Sequence, residues 1–352
     1  MKAIKQTVGV DVAQKELVCV VGVLLEDLSV SLKARKAFGN HVSGFKAFLK
    51  WAKSFTDASP ELTVVLEATG VYHEKFVHWL VEQEQQVAIV LPNKISNYMR
   101  TLSTKTITDN TAAEAITQFG LERKLETWTP PKPIFRTLKQ LTRERDQIVS
   151  ERVVIANQLH AEQAEAFPNA NSLKRLKARK MLLNKQEKEI KNEIHLLVKS
   201  DPNLGENISY MTSIPGVGEL TAVIALAETN GFELVINKRQ LVSYAGLDIR
   251  EKQSGTSVKG KPKISKKGNR HLRKSVHLPA LCAIKNCSLY KNNFARLVGR
   301  HGIKMKAVVA VQRKILELMY ILYKTKTNFD LEYKLKKEQQ HEAATPLQSS
   351  LC

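Results

Sequence analysis

The sequence predicts an α/β N-terminal domain, a helical middle segment of coiled-coil character and a mainly α C-terminal domain. Three features carry that division. Runs of β-branched and apolar residues alternate with amphipathic segments as far as Leu125. The stretch Trp128-Thr129-Pro130-Pro131-Lys132-Pro133 then breaks any helix. Beyond it Leu138, Leu141, Ile148, Ile155 and Leu159, and again Leu183, Ile190, Ile194 and Leu197, recur at near-heptad spacing in a charge-rich background.

Taken in order, Thr7 to Leu25 reads as paired buried strands, with further strands over Leu62 to Leu66 and Val87 to Leu91. Val42 to Phe55 and Tyr72 to Glu84 carry apolar residues at three- and four-residue spacing and read as helices, as does Ala112 to Leu125. The heptad-like stretches flank Phe167-Pro168-Asn169 and form a helical hairpin, packed either on its own domain or against another chain. The expected divisions are 1–128, 129–200 and 201–327, followed by a polar, mobile tail over 328–352.

Composition narrows the function. With 43% hydrophobic and 25% charged residues in 352, the chain is of ordinary globular type. Its 55 Lys and Arg against 34 Asp and Glu leave a formal charge of +21, which repels itself unless the partner is a polyanion. Nucleic acid is the first candidate, because no apolar run reaches the ~20 residues that span a bilayer. The run Leu17 to Leu25 resembles a secretory core, but Asp11, Glu16, Glu26 and Asp27 flank it and no small-residue cleavage site follows. Cys19, Cys282, Cys287 and Cys352 have neither metal-site nor disulfide-framework spacing, which fits a reducing cytoplasm.

Acids stand where strands should be apolar. Asp11 interrupts Val8-Gly9-Val10-Asp11-Val12, and Glu67 ends Leu62-Thr63-Val64-Val65-Leu66. Burying a carboxylate costs several kcal/mol unless donors or a cation satisfy it. Asp109 precedes the next helix, where Asp is ordinarily an N-cap. Singly, Asp11 and Glu67 also read as a strand-end hydrogen bond and a helix-start charge. Together the three are the carboxylates a ribonuclease-H-like fold supplies to Mg²⁺ for phosphoryl transfer.

Two further signals lie towards the C-terminus. Ser213-Ile214-Pro215-Gly216-Val217-Gly218 has the form of a helix-hairpin-helix turn, with Gly216, Val217 and Gly218 offering backbone N–H groups to a phosphate, or of a plain tight turn. After Gln253-Ser254-Gly255, the cations Lys259, Lys261, Lys263, Lys266, Lys267, Arg270 and Arg273 crowd one stretch, with Lys274 beside them. A charge run is usually a solvated face, and Ser-Gly usually a turn. So one-sided a cluster also suits phosphate, and would steady a phosphate attacked by Ser254.

With these residues assembled, the chain resembles the bacterial insertion-sequence transposases of the one-hundred-and-ten family, also called DEDD transposases or bridge recombinases. The likeness runs from Gly9-Val10-Asp11 through Leu66-Glu67-Ala68-Thr69-Gly70 to Phe119-Gly120-Leu121-Glu122-Arg123. It resumes at Ile214-Pro215-Gly216-Val217-Gly218, Tyr244-Ala245-Gly246-Leu247 and the block Gln253-Ser254-Gly255 to Leu272-Arg273. The resemblance implies an N-terminal domain similar to the Holliday-junction resolvase RuvC, a coiled-coil segment and a C-terminal transposase domain. It implies a phosphoserine intermediate formed by Ser254, and Mg²⁺ held by Asp11, Glu67 and Asp109. Donor and target DNA, a noncoding bridge RNA and a dimer or tetramer of the chain are the implied partners, in a bacterial, nucleoid-associated setting.

One departure stands out. The family pattern has a fourth carboxylate three residues after the third, and here that position is Ala112. Glu114 lies two residues further, roughly 200° round a helix, and substitutes only if the backbone shifts. The alternatives to a serine recombinase are therefore a metal-dependent junction nuclease and a catalytically impaired DNA- or RNA-binding protein.

Overall fold

The computed structural model describes residues 2–68, 70–102, 106, 108–251, 253–254, 258–260 and 262–333, with backbone alone at Gln253, Ser254, Val258 and Lys259. The chain divides into two compact units, Met1–Pro130 and Pro131–Cys352.

The first unit is built on strands whose apolar runs are continuous because both faces are covered. Strand β1 (Ala3–Val12) pairs antiparallel with β2 (Glu16–Leu25), and β4 (Leu62–Glu67) and β5 (Gln86–Val90) extend the sheet in parallel on the other side of β1. On the far side of β2 lies β3 (Val30–Gly39), giving the order β3-β2-β1-β4-β5. No strand is expected there from sequence, because Lys33, Arg35 and Lys36 break the apolar pattern. An edge strand takes charge on its open face, where it discourages pairing with another chain.

Helices α1 (Val42–Lys53) and α2 (Glu74–Glu82) share the cluster of Val8, Val10 and Val64 on one face, with Phe45 and Phe76 rings 5.0 Å apart. On the other face α3 (Pro92–Met99) and α4 (Asp109–Glu122) pack against Val65, Ala88 and Val90 through Ile95 and Ile116. Gly9 sets how close α4 comes. A Cβ there would stand 2.4 Å from the Thr117 nitrogen and 2.7 Å from the Ala113 carbonyl, and the Gly9 N–H instead donates to Thr117 Oγ1 at 3.1 Å.

The second unit begins with the hairpin of α5 (Pro133–Ala164) and α6 (Ala170–Ser200), whose heptad-like residues are buried except Leu197, where Val198 is the buried one. Glu187 is buried between them and held by Arg145, Arg152 and Lys191. Burial raises its pKa, yet the bonds from Lys191 and Arg145 outweigh that and bring it down to about 2. The hairpin base shares one core with the helices that follow: Leu138 and Leu141 join Leu226, Leu272, Ile315 and Met319. A boundary at residue 200 would cut that core.

Those helices are α7 (Pro202–Thr212), α8 (Glu219–Thr229), α9 (Lys238–Tyr244), α10 (Arg270–Ser275), α11 (His277–Asn286), α12 (Ser288–His301) and α13 (Lys304–Thr325). Between α9 and α10 rises a short ribbon in which β6 (Ile249–Arg250) pairs with β9 (Lys263–Ile264) and β7 (Gln253–Ser254) with β8 (Val258–Lys259). The tail is pinned where it starts, since the Phe329 N–H donates to Ser213 Oγ and its ring stacks on Tyr290; residues 334–352 lie outside those described. Among the described residues no helix is long and apolar enough to cross a membrane. The close approach at Gly9 gives a direct test: Gly9→Ala should cost about 1–3 kcal/mol in urea unfolding, and an unchanged midpoint would show that α4 yields freely.

Candidate functional site

The sheet register brings the strand acids together. Val10 of β1 lies opposite Leu66 of β4, so Asp11 and Glu67, each one residue further, lie side by side where the parallel pairing of the two strands ends. Val10 and Leu66 face α1 and α2, and alternation turns Asp11 and Glu67 towards α4. Because Gly9 seats α4 at Ala113 and Thr117, the helix start one turn earlier carries Asp109 to the same edge. Asp109 is not the N-cap. Thr108 caps α4 in a reciprocal pair with Thr111, which leaves the Asp109 carboxylate in the first turn, where the helix dipole favours a negative charge.

Asp11 feels the other two carboxylates. Burial and then the charges of Asp109 and Glu67 raise the Asp11 pKa to about 6, against a partial lowering by the Val12 backbone. Carboxylate oxygens at this edge are the donor set of a hard divalent cation, which would offset their repulsion. Among the described residues no three His, Cys, Asp or Glu side chains converge closely enough to enclose an ion. Glu114 does not join the three, for its carboxylate pairs with Arg35 of β3 at 3.1 Å, and Ala112 places a methyl group where the family pattern has an acid.

In the second unit the turn between α7 and α8 serves packing more than phosphate. Gly216 has φ +89°, and a Cβ on it would meet the Pro279 carbonyl at 2.5 Å and the Ala283 nitrogen at 2.9 Å, so its bareness admits α11. Val217 is in the core and spends its N–H on the Ile214 carbonyl. Gly218 alone of the three faces open space, at the start of α8. Glu219, next to it, pairs with His195 at 3.0 Å.

Ser254 ends β7 opposite Val258, on a ribbon rather than in a loop. Its side chain, that of Lys259, Gly255 to Ser257, and Lys261 lie outside the described residues. The basic cluster separates into two kinds. Lys263, Lys266, Lys267 and Arg270 are exposed, whereas Arg273 donates to the Ala245 carbonyl at 2.7 Å and Lys274 to Asp146 at 2.9 Å. Arg273 thus ties down the ribbon's entry, which explains its place in the run without a phosphate.

A buried hub that sequence reasoning missed fixes the same base. Glu228 of α8, 1% exposed, takes a bidentate pair from Arg143 (2.9 and 3.0 Å) and a 2.7 Å bond from Asn269 Nδ2. Burial raises its pKa, but the bonds from Arg143 and Asn269 prevail and lower it. The Asn269 N–H donates to the Tyr244 carbonyl while its side chain caps α10, so the two ends of the ribbon meet. The missed signal was an acid within Ala222 to Ala227 and Thr229, a run otherwise apolar.

Residues 8–168 match the family DEDD_Tnp_IS110, described as a transposase, and residues 208–295 match that described as "Transposase IS116/IS110/IS902 family". Together they span well over half of the sequence. The chain belongs to the IS110 family of transposases. This IS110-family chain is 25% identical over 297 residues to the "Pilin gene-inverting protein" of Moraxella bovis, covering 83% of it and 89% of the relative. It is 24% identical to the protein of that name from Moraxella lacunata, with the same coverage. An "Insertion element IS110 uncharacterized 43.6 kDa protein" of Streptomyces coelicolor is 24% identical over 42% of this chain and 35% of that one. The solved "T. thermophilus RuvC in complex with Holliday junction substrate" aligns with 35% of this chain and 99% of its own at 12% identity and a TM-score of 0.28.

The raised Asp11 pKa has a stability consequence. The folded chain holds this proton more tightly than the unfolded chain, whose value is near 3.8, so cation-free stability falls as pH rises from there through about 6. Asp11→Asn should remove that fall and raise Tm by a few degrees at neutral pH in EDTA. It should also abolish the rise that a divalent cation gives the unsubstituted chain; a variant that still responds to the cation would place its site elsewhere. For the exposed cations, the Lys263→Glu, Lys267→Glu double variant should flatten the slope of log affinity for DNA against log salt. An unchanged slope would make this face merely solvated.

Proposed function

We propose that this IS110-family protein cuts and rejoins DNA strands to move a mobile element, with Asp11, Glu67 and Asp109 as the metal-binding carboxylates and Ser254 as the nucleophile. The observation that carries the reading is a half-buried Asp11 at one sheet edge whose pKa is raised to about 6 by burial and then by the charges of Asp109 from α4 and Glu67 from β4. The order β3-β2-β1-β4-β5 with α4 across it supports a ribonuclease-H-like, RuvC-like core. The exposed Lys263, Lys266, Lys267 and Arg270 support a phosphate-facing ribbon. The Moraxella relatives, 25% and 24% identical, are named for inverting a gene, which agrees with cutting and rejoining DNA.

When bound at those carboxylates, Mg²⁺ supplies positive charge to a phosphate under attack. The chain's own residues do the rest. Ser254 Oγ loses its proton and bonds to the scissile phosphorus, while the bond from phosphorus to the leaving deoxyribose oxygen breaks and that oxygen takes up a proton. A hydroxyl of the strand being joined then displaces the serine oxygen, which regains its hydrogen. The ribbon lysines hold the flanking phosphates and offset the negative charge. Substrates are donor and target DNA. The family resemblance adds a noncoding bridge RNA that selects them, and a dimer or tetramer that supplies Ser254 and the carboxylates from different subunits.

A second reading has its own observation. With Ala112 in place of an acid and Glu114 committed to Arg35, the cation has fewer ligands than the family pattern provides, as expected of a weakened or purely nucleic-acid-binding member. One assay separates the readings. Ser254→Ala should leave DNA binding intact yet eliminate both recombination and the denaturation-resistant protein–DNA adduct, with Ser257→Ala as the matched control. An adduct that persists in Ser254→Ala moves the nucleophile elsewhere; metal-dependent cleavage of a junction by Ser254→Ala, without adduct, makes the chain a nuclease.

A further inference from the structure

A groove beside α5 in the second unit shares only Arg270 with the reading above. It has two lobes, a narrow one of about 300 Å³ and a wider one of about 720 Å³, which meet at Arg143, Asp146, His271 and Lys274. The narrow lobe is floored by Leu220, Ile224, Leu278 and Pro279. Leu278 is 73% exposed, a large apolar side chain left open at the mouth of an apolar slot. The wider lobe opens past Arg270, Gln147 and Ser150, with Glu151 at its edge.

The belt between the lobes is arranged in advance for an anion. Both oxygens of Asp146 are used: one accepts from Lys274 Nζ at 2.9 Å and the other faces His271 Nδ1 at 3.4 Å. One carboxylate thus bridges two donors as the oxygens of a phosphate would. Arg143 is held in orientation by its bidentate pair with buried Glu228 and is still 43% exposed towards the groove. Donors already fixed in place lose little freedom when a ligand arrives.

An apolar slot behind a belt of cations matches a nucleotide: a flat base with apolar faces, joined to an anionic backbone. A base inside a duplex cannot enter it, whereas an unstacked base of a single strand can. We propose that this groove binds one strand of DNA, seating an unstacked base against Ile224, Leu278 and Pro279, with the adjoining phosphates at Arg143, His271, Lys274 and Arg270. Asp146 occupies the phosphate position until the strand displaces it. DNA is the occupant favoured over RNA because it is the substrate of the reaction proposed above. The identity of the ligand rests on reading the chain as a DNA recombinase; the shape and charge of the groove do not.

The test is a binding measurement by fluorescence anisotropy on the full chain carrying Lys263→Glu and Lys267→Glu, which silences the ribbon. The probes are a labelled short oligothymidylate, its duplex with oligoadenylate, and oligouridylate. Asp146→Asn should tighten the single-stranded DNA roughly fivefold by removing the competing charge, and Leu278→Asp should weaken it roughly tenfold with Tm unchanged, since that side chain is already solvated. Lost packing alone would not make Asp146→Asn bind more tightly. A photoreactive 5-iodouracil in the same DNA strand should crosslink to the peptide containing Leu278. Affinity for single-stranded DNA that neither variant changes, or changes seen only with the duplex or only with oligouridylate, would overturn the proposal. These readouts need no catalysis, so a Ser254→Ala chain should give the same result, and a failure of the recombinase chemistry stays distinguishable from a failure of the groove.

Discussion

The contact between Gly9 and Thr117 governs the N-terminal unit. A helix normally rides about 10 Å above a sheet on a layer of side chains, and here the missing Cβ lets α4 settle directly on β1. That settling fixes which turn of α4 reaches the strand ends, and so delivers Asp109 to Asp11 and Glu67. The arrangement costs stability, since Asp11 is partly buried and set beside like charges, and holds its proton to about pH 6 as a result. Packing that concentrates repulsion at a single edge of an otherwise well-paired protein is expected where a cation or a reaction needs the charge.

The other buried acids sharpen the contrast. Glu187 and Glu228 are only 4% and 1% exposed, less than half-buried Asp11, yet both have lowered pKa values because Arg145, Lys191, Arg143 and Asn269 reach them. A chain with 55 Lys and Arg has cations to spare. What faces Asp11 electrostatically is two more acids. Burial alone therefore does not separate a structural acid from a functional one; the identity of its neighbours does.

Much of this was legible in the sequence, and the gaps have physical causes. Strands β1, β2, β4 and β5 stood out because both faces are covered and their apolar runs are unbroken, and Asp11 and Glu67 stood out as breaks in those runs. Strand β3 did not, being an edge with lysines on its open side. The role of Asp109 could not be read from a helix start alone, because an N-cap and a first-turn acid look alike until Thr108 is seen to take the cap. Arg273 looked like one more cation in a run, and only the fold shows it bonded to the Ala245 carbonyl. The heptad pattern marked the buried face of the hairpin apart from Leu197 and left its partner open, and at the hairpin base Leu138 and Leu141 pack into the C-terminal core.

The closed base of the ribbon has one more consequence. Tyr244 and Asn269 are bonded to each other, so the intervening segment leaves and returns at one place. Ser254 lies seven residues beyond buried Leu247, and a polypeptide of that length extends at most about 25 Å. Its backbone is therefore held within a small sphere about that clamp. On the proposed function, a strand gripped outside that sphere lies beyond the serine, so the clamp at the ribbon's root limits which bonds are within its reach.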